Sequence, residues 1–244
     1  MNVPADWIVP EWPVSCRVRA LITTRQGGAS CNAYAGFNLG ECAGDDANAV
    51  ASNRRFLRGF LPGEPVWMRQ VHGTRVIEAG PWSLGEEADA AVTRTPGRVC
   101  AVLTADCLPV LLADAQGTVV GIAHAGWRGL AAGVIESVVR AMGVAPASLV
   151  AYLGPAIEAG AYEVGRDVFD AFVGADADAA AAFASRGEGK FLADLNLLAR
   201  QRLMRFGVGS IHGGTLCTYS DPERFYSYRR DGATGRMASL VWME

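Results

Sequence analysis

The sequence predicts a single domain of mixed α/β or α+β class, and three observations carry that prediction. Short β-branched and apolar runs crowd the first half of the chain, a two-strand signal at 109–125 is closed by a tight polar turn, and three amphipathic helices are interspersed. The strand signals fall at 17–23, 65–72, 74–79, 88–94, 99–105, 109–114 and 118–125, and the tail returns to strand at 208–211 and 236–243. "DAQGT" (114–118) lies between two apolar runs and predicts a hairpin, so the pairing there is antiparallel and the fold is not purely βαβ. The first helix, 46–60, opens at Asp46, a residue suited to an N-cap. The second, 129–142, puts Leu130, Val134, Val138 and Met142 on one face and stops at Gly143. The third, 194–206, starts at Asp194, aligns Leu195, Leu198, Ala199, Leu203 and Phe206, and meets Gly207. The Ala-rich stretch 172–190 reads as a further helix followed by an exposed loop.

Composition narrows the function classes. The chain has 244 residues, half of them hydrophobic and 19% charged, which is ample for a core. A net charge of −3 supplies no basic stripe for nucleic acid or an anionic membrane. No run reaches the roughly 20 apolar residues of a membrane helix, and the N-terminal stretch, broken by prolines and acids, does not read as a signal peptide. The six cysteines (16, 31, 42, 100, 107, 217) show no CxxC pairing and are expected to be reduced thiols in a cytoplasmic protein.

Chemistry is expected where "LTADCLP" (103–109) and "HAGWRG" (124–129) interrupt apolar runs. His72, Cys107 and His124 each fall at the end of a predicted strand, in a chain with three histidines altogether. Strand ends on a rigid scaffold are favoured places for sites. Two imidazoles and a thiolate suit zinc and leave a fourth position open, the catalytic arrangement. Alternatively, Cys107 is a nucleophile activated by a neighbouring imidazole, or it is plain core and His72 an ordinary strand-end residue. Arg128 at a helix start is a candidate anion ligand. "FYSYRRDGATGRM" (225–237) gathers Arg229, Arg230 and Arg236 with aromatic rings, a set able to clamp a phosphate or to form a solvated turn. "NLG" at 38–40, with Asn38, is either a ligand loop or a capped connection. His212 in "SIHGG" is expected in a turn or on the surface, without a partner. P-loop, dinucleotide, nucleophile-elbow and zinc-deaminase motifs are absent from the sequence.

The blocks "TTRQGGAS", "NLGECAGDD", "RQVHGTRV", "ADAAVTRTPG", "LTADCLPVLLAD", "HAGWRGLAAGV", "YLGPAIEAGAYEVG" and "CTYSDPERFYSYRRDGATGRM" together resemble the YfiH-like, laccase-domain family, over about residues 17–243. The resemblance implies one catalytic domain spanning 1–244, with a mixed and antiparallel β-sandwich-like core and flanking helices. It implies a metal held by His72, Cys107 and His124, zinc in preference to copper, since several coppers would need many more histidines. It further implies a purine nucleoside phosphorylase acting on adenosine, inosine, guanosine and methylthioadenosine, with adenosine deamination as a side activity. A branch of the family is associated with editing nucleotide-linked muramyl peptides of peptidoglycan, which would make the protein a hydrolase. Cys42 stands where the family often has a histidine. On this reading Asp106, beside the metal cysteine, orients a ligand or shuttles a proton, and Arg128, Arg229, Arg230 and Asn38 contact substrate. The partners are a small-molecule nucleoside and phosphate, without nucleic acid or membrane, and the protein is a monomer or weak homo-oligomer.

Overall fold

The computed structural model describes residues 3–80 and 85–244. In chain order the described residues form β1 (Val18–Ile22), α1 (Ala47–Arg58), β2 (Pro65–Val66), β3 (Val76–Glu78), β4 (Ala90–Thr93), β5 (Val99–Thr104), β6 (Leu108–Asp114) and β7 (Val120–Ala125). There follow α2 (Trp127–Ala132), α3 (Val134–Met142), β8 (Leu149–Leu153), β9 (Glu163–Val164) and α4 (Arg166–Val173). The chain closes with β10 (Phe183–Gly187), β11 (Lys190–Ala193), α5 (Leu195–Arg205), β12 (Ser210–Gly213), α6 (Tyr228–Asp231) and β13 (Met237–Met243).

Strand burial dictates the layering. A four-stranded sheet runs β1-β13-β5-β2, a six-stranded sheet runs β12-β8-β6-β7-β4-β3, and a small sheet runs β10-β11-β9. Every position of β6, β7 and β13 is buried, so these strands have apolar cover on both faces. Ile22, Val102 and Val241 of the four-stranded sheet meet Leu111, Val120 and Ile122 of the six-stranded one in a single apolar layer. The alternate residues Leu21, Ala101, Leu240 and Trp242 pack outward against Phe37 and Leu57. On the far side, Val110, Leu112 and Ala123 pack against Leu130, Val134, Val138, Met142, Leu198 and Leu203. The result is an α+β sandwich with helices on both outer faces, as the sequence led us to expect. Pairing is mostly antiparallel, with β2–β5, β3–β4 and β8–β12 parallel.

Local chemistry explains which predicted elements form. Asp46 and Asp194 cap α1 and α5 by accepting from the N–H groups of Ala49 and Leu197 at 2.9 Å each. The 114–118 turn closes the β6–β7 hairpin, and Asp114 secures it by accepting from Thr118 N–H at 2.6 Å and Val119 N–H at 2.9 Å.

Four expectations need correction. The strand expected at 65–72 survives only as β2, because the Gln70 side chain takes over the ladder: it donates to Leu103 O at 2.8 Å and accepts from Leu103 N–H at 2.7 Å. The helix expected at 129–142 is two helices that start earlier, at Trp127, and part at Gly133, whose φ of +100° ends the first. The apolar face carries through both pieces. The helix and loop expected at 172–190 are instead the end of α4, a short 3₁₀ segment at 177–182 and the β10–β11 hairpin. Phe183 and Phe191 pull that hairpin onto Phe169 of α4, with Phe169 and Phe191 stacked at 4.4 Å. His212 lies in β12, half-buried, with its Nε2 3.0 Å from Ser210 Oγ, so it is neither in a turn nor without a partner. The strand β8 at the six-stranded sheet's interior and the helix α4 have no counterpart in the expectations.

Replacing Asp114 with alanine strands the Thr118 and Val119 amides, Val119 being buried. We expect a loss of about 2 kcal/mol, read as a lower urea midpoint at unchanged slope.

Candidate metal centre

The six-stranded sheet brings His72, Cys107 and His124 together at one of its ends. His124 is the penultimate residue of β7, where it pairs with Pro109 of β6. Cys107 sits in the three-residue corner between β5 and β6, immediately before Leu108. His72 belongs to a turn that precedes β3 and takes a φ of +61°, a left-handed conformation that non-glycine residues rarely adopt. The three donor atoms all lie within 4.8 Å of one another. Cys107 Sγ is 3.8 Å from His72 Nε2, and the two imidazole rings meet edge to face at 4.8 Å between centroids.

Asp89 holds this arrangement. Its side chain is fully buried at the entrance to β4, and it accepts four hydrogen bonds. Val71, His72 and Gly73 donate their backbone N–H groups at 3.0, 2.9 and 2.8 Å. His124 Nδ1 donates at 2.7 Å. Three successive amides converging on one carboxylate account for the tight turn and for the unusual backbone of His72. The Nδ1–H bond leaves His124 Nε2 to face the thiol, the tautomer that metal-binding histidines use when a carboxylate backs them.

Glycines let the pieces close. A Cβ at Gly126 would stand 2.7 Å from His72 Cδ2 and 3.0 Å from Cys107 Sγ, and one at Gly129 would stand 2.8 Å from Gly73 O. Only bare backbone allows α2 to begin against the trio. "HAGWRG" is therefore a packing signature as well as a carrier of His124.

The electrostatics follow from this geometry. Burial alone pushes the Cys107 thiol up, but the charge and hydrogen bond of His124, joined by those of His72, outweigh it and bring the group down to about 6. Burial pushes His124 down, while Cys107 and Asp89 pull it up to about 9. Burial likewise works against the Asp89 charge, yet its bonds to His124, Gly73 and Val71 hold the carboxyl below its usual range. Without metal the site thus favours a thiolate–imidazolium pair. Two nitrogens and a thiolate fit a single transition-metal ion, and the exposure of His72 beside buried His124 leaves one side open for a further ligand.

The remaining expected site residues divide. Asp106 (φ +94°) accepts from Thr218 Oγ1 at 2.6 Å and from Arg229 N–H at 2.7 Å, so it ties the Cys107 corner to the Thr218 loop and to α6. The orienting role expected of it falls to Asp89. Arg230 spends its donors on Thr218 O, Tyr219 O, Phe225 O and both Asp231 oxygens, which leaves nothing for substrate. Asn38 is fully buried, with its amide held by Asp45 at 2.9 Å and its oxygen by the Gly40 and Arg236 amides, so it supports a loop. Arg128 is exposed and stacks on Trp127 at 4.4 Å. Arg229 bonds Glu163 O at 2.7 Å and lies 5.1 Å over the Tyr162 ring. Tyr162 carries no signal in the sequence that would single it out. Burial raises its phenol, with Cys107 adding to the rise and Arg229 and Arg128 opposing it, so all four share one neighbourhood.

Two outcomes test this account. In Asp89→Asn, metal affinity should fall about 10- to 100-fold in a competitive chelator titration, because the carboxylate behind His124 is lost. In chelator-treated protein, alkylation of Cys107 by iodoacetamide should be half-maximal near pH 6, since a lowered thiol stays ionised down to that pH and protonates below it. In His124→Ala the profile should move up toward ordinary thiols.

With this geometry in hand, kinship is informative. Residues 19–244 match the family described as multi-copper polyphenol oxidoreductase laccase. The chain is 52% identical over 239 residues to a purine nucleoside phosphorylase of Pseudomonas aeruginosa, covering 98% of both proteins. It is 51% identical to the purine nucleoside phosphorylase YfiH of Escherichia coli, covering 97% of this chain and 98% of that one. Among solved structures, Neisseria meningitidis protein NMB0706 superposes with a TM-score of 0.95 at 51% identity, covering 98% of this chain and 99% of its own. A Bacillus licheniformis YfiH protein superposes with a TM-score of 0.88 at 31% identity, covering 93% of each. The chain belongs to this YfiH-like, laccase-domain family.

Proposed function

We propose that the protein is a zinc-dependent purine nucleoside phosphorylase, acting on adenosine, inosine, guanosine and methylthioadenosine, with adenosine deamination as a side activity. The observation that carries the reading is the open His72–Cys107–His124 cluster braced by Asp89, in a chain about half identical to proteins named purine nucleoside phosphorylases. His72, Cys107 and His124 would hold the ion, and zinc is favoured over copper because His212, the third histidine, is engaged with Ser210 in β12 and adds nothing to a copper cluster. Bound zinc supplies Lewis acidity to the departing or reacting groups of the substrate.

The chain's own residues do the rest. Phosphorolysis joins a phosphate oxygen to C1′ of ribose as the bond from C1′ to the purine nitrogen breaks. Cationic side chains must therefore hold an anion on one side of the sugar while the base leaves from the other. Arg128, Arg229 and Tyr162 share the neighbourhood of Cys107 and suit the holding of that anion. Asp106 fixes the corner that presents Cys107. In this reading the whole chain acts as one cytoplasmic catalytic domain, a monomer or weak homo-oligomer. Among the described residues, no helix is long and apolar enough to cross a membrane.

A second reading draws on the lowered thiol of Cys107, which suits a nucleophile with His124 as base, as in a hydrolase editing nucleotide-linked muramyl peptides. A substrate-derived mass on Cys107 of chelated protein would favour it.

The test is incubation of zinc-quantified protein with adenosine, with and without phosphate, beside Cys107→Ala. We expect adenine and ribose 1-phosphate only when phosphate is present, and none from the variant. Adenine release without phosphate, or by the variant at the parent rate, contradicts the reading.

A further inference from the structure

Arg236 stands apart from the other arginines of the C-terminal cluster. It directly precedes β13, whose Met237 pairs with Thr104 at the end of β5. Continuing that antiparallel register places Arg236 beside Ala105, at the corner that carries Asp106 and Cys107. Its stem is pinned from beneath. Asn38 Oδ1 accepts the Arg236 N–H at 2.8 Å, Leu39 donates to Arg236 O at 3.1 Å, and a Cβ on Gly40 would stand 2.7 Å from Arg236 Cγ. At the head of the side chain, Nη1 donates to Thr234 O at 2.7 Å and Gly235 O at 2.9 Å, which fixes the plane of the guanidinium. Among the described residues, no carboxylate pairs with it, and its Nε and Nη2 have no acceptor.

A half-buried guanidinium whose plane is fixed and whose Nε and Nη2 are left to solvent is preorganised to take an oxyanion through charge-assisted bonds. Arg230 shows the contrast within the same segment, with an adjacent Asp231 and further backbone carbonyls to occupy it. Burial holds Arg236 below the ordinary arginine value, and Cys107 and Asp106 are the foremost charges that oppose this. The charge thus lies near the Asp106–Cys107 corner, where the strand register places its residue, and is not spent on a salt bridge.

We propose that Arg236, presented by the Asn38–Gly40 loop, binds a phosphoryl oxyanion beside the His72–Cys107–His124 cluster. Resting on the phosphorylase reading above, this assigns Arg236 as the phosphate ligand of the reaction and Asn38 and Gly40 as positioning residues. The "NLG" motif thereby acquires a purpose, since Asn38 aims Arg236 without touching the ligand. The same chemistry would recognise the diphosphate of a nucleotide-linked substrate.

The experiment is calorimetric titration of zinc-loaded protein with inorganic phosphate and, separately, with UDP, for the parent, Arg236→Gln, Arg236→Lys, Gly40→Ala and the exposed control Arg186→Gln. We expect Arg236→Gln to weaken binding on the order of 10- to 100-fold, with partial rescue in Arg236→Lys. Gly40→Ala should also weaken it although the arginine is retained, and Arg186→Gln should match the parent. In turnover, the KM for phosphate should rise in Arg236→Gln while that for adenosine holds. Loss of phosphate binding identifies free phosphate as the ligand, whereas loss confined to UDP identifies a diphosphate group, and either supports the site. Unchanged affinity in Arg236→Gln, or no binding of either probe by the parent, overturns it. If Arg236→Gln loses phosphate binding while the parent shows no adenosine turnover, the anion site stands and the nucleoside reading falls. If the parent turns over adenosine while Arg236→Gln keeps its phosphate affinity, the reverse holds.

Discussion

The buried carboxylate of Asp89 is the interaction on which the rest of the site depends. A carboxylate removed from water must be met by donors, and each charge-assisted bond is worth about 1.5–3 kcal/mol. Asp89 recruits three from consecutive backbone amides, at Val71, His72 and Gly73, and one from His124 Nδ1. That single requirement wraps the 71–73 turn, forces His72 into the left-handed region, selects the His124 tautomer and brings two imidazoles to one place. The backbone joins in as well, since His124 N–H donates to Asp89 O at 2.7 Å. Side chain and main chain of one residue therefore lock β4, β7 and the turn before β3.

Rigidity comes from the layers beneath. The β6–β7 hairpin that carries Cys107 and His124 is buried at every strand position, with apolar packing on both faces. A thiolate and an imidazolium held at such a place do not drift apart, and the same enclosure strengthens their attraction. The glycines at 126 and 129 matter because they let α2 start against the cluster without spreading it. Asp106, Arg230 and Asn38 belong to this framework too. Each is polar, engaged by hydrogen bonds, and placed to hold a segment that carries something else.

Much of this was legible in the sequence, and the gaps have physical causes. Helices announced themselves because Asp46 and Asp194 are local caps and apolar periodicity is a local signal. The trio was legible as a set of candidates because a cysteine and two histidines end apolar runs, although that pattern alone left metal ligand, nucleophile and plain core open and only the family resemblance implied the metal. Asp89 is not singled out by any local motif, although "ADAAVT" places an acid in an apolar run. Its role is set by a turn and a strand far away in the chain, which no local pattern reveals. Asp106 is next to Cys107 in sequence, but its carboxylate is taken up by Thr218 Oγ1 and the Arg229 amide and not by a cluster histidine. The arginines of 229–236 looked equivalent as a cluster. Only their partners in three dimensions separate Arg230, which is saturated, from Arg236, which is not. The strand expected at 65–72 failed because Gln70 imitates a ladder with its side chain, an option invisible to period-two patterning.

X-ray absorption at the zinc edge of loaded protein tests the central claim most directly. The account predicts one sulfur at about 2.3 Å and two imidazole nitrogens at about 2.0–2.1 Å, completed by a light exchangeable ligand. It further predicts loss of the sulfur shell in Cys107→Ala. A shell of nitrogen and oxygen alone, or a sulfur contribution that survives in that variant, would contradict it.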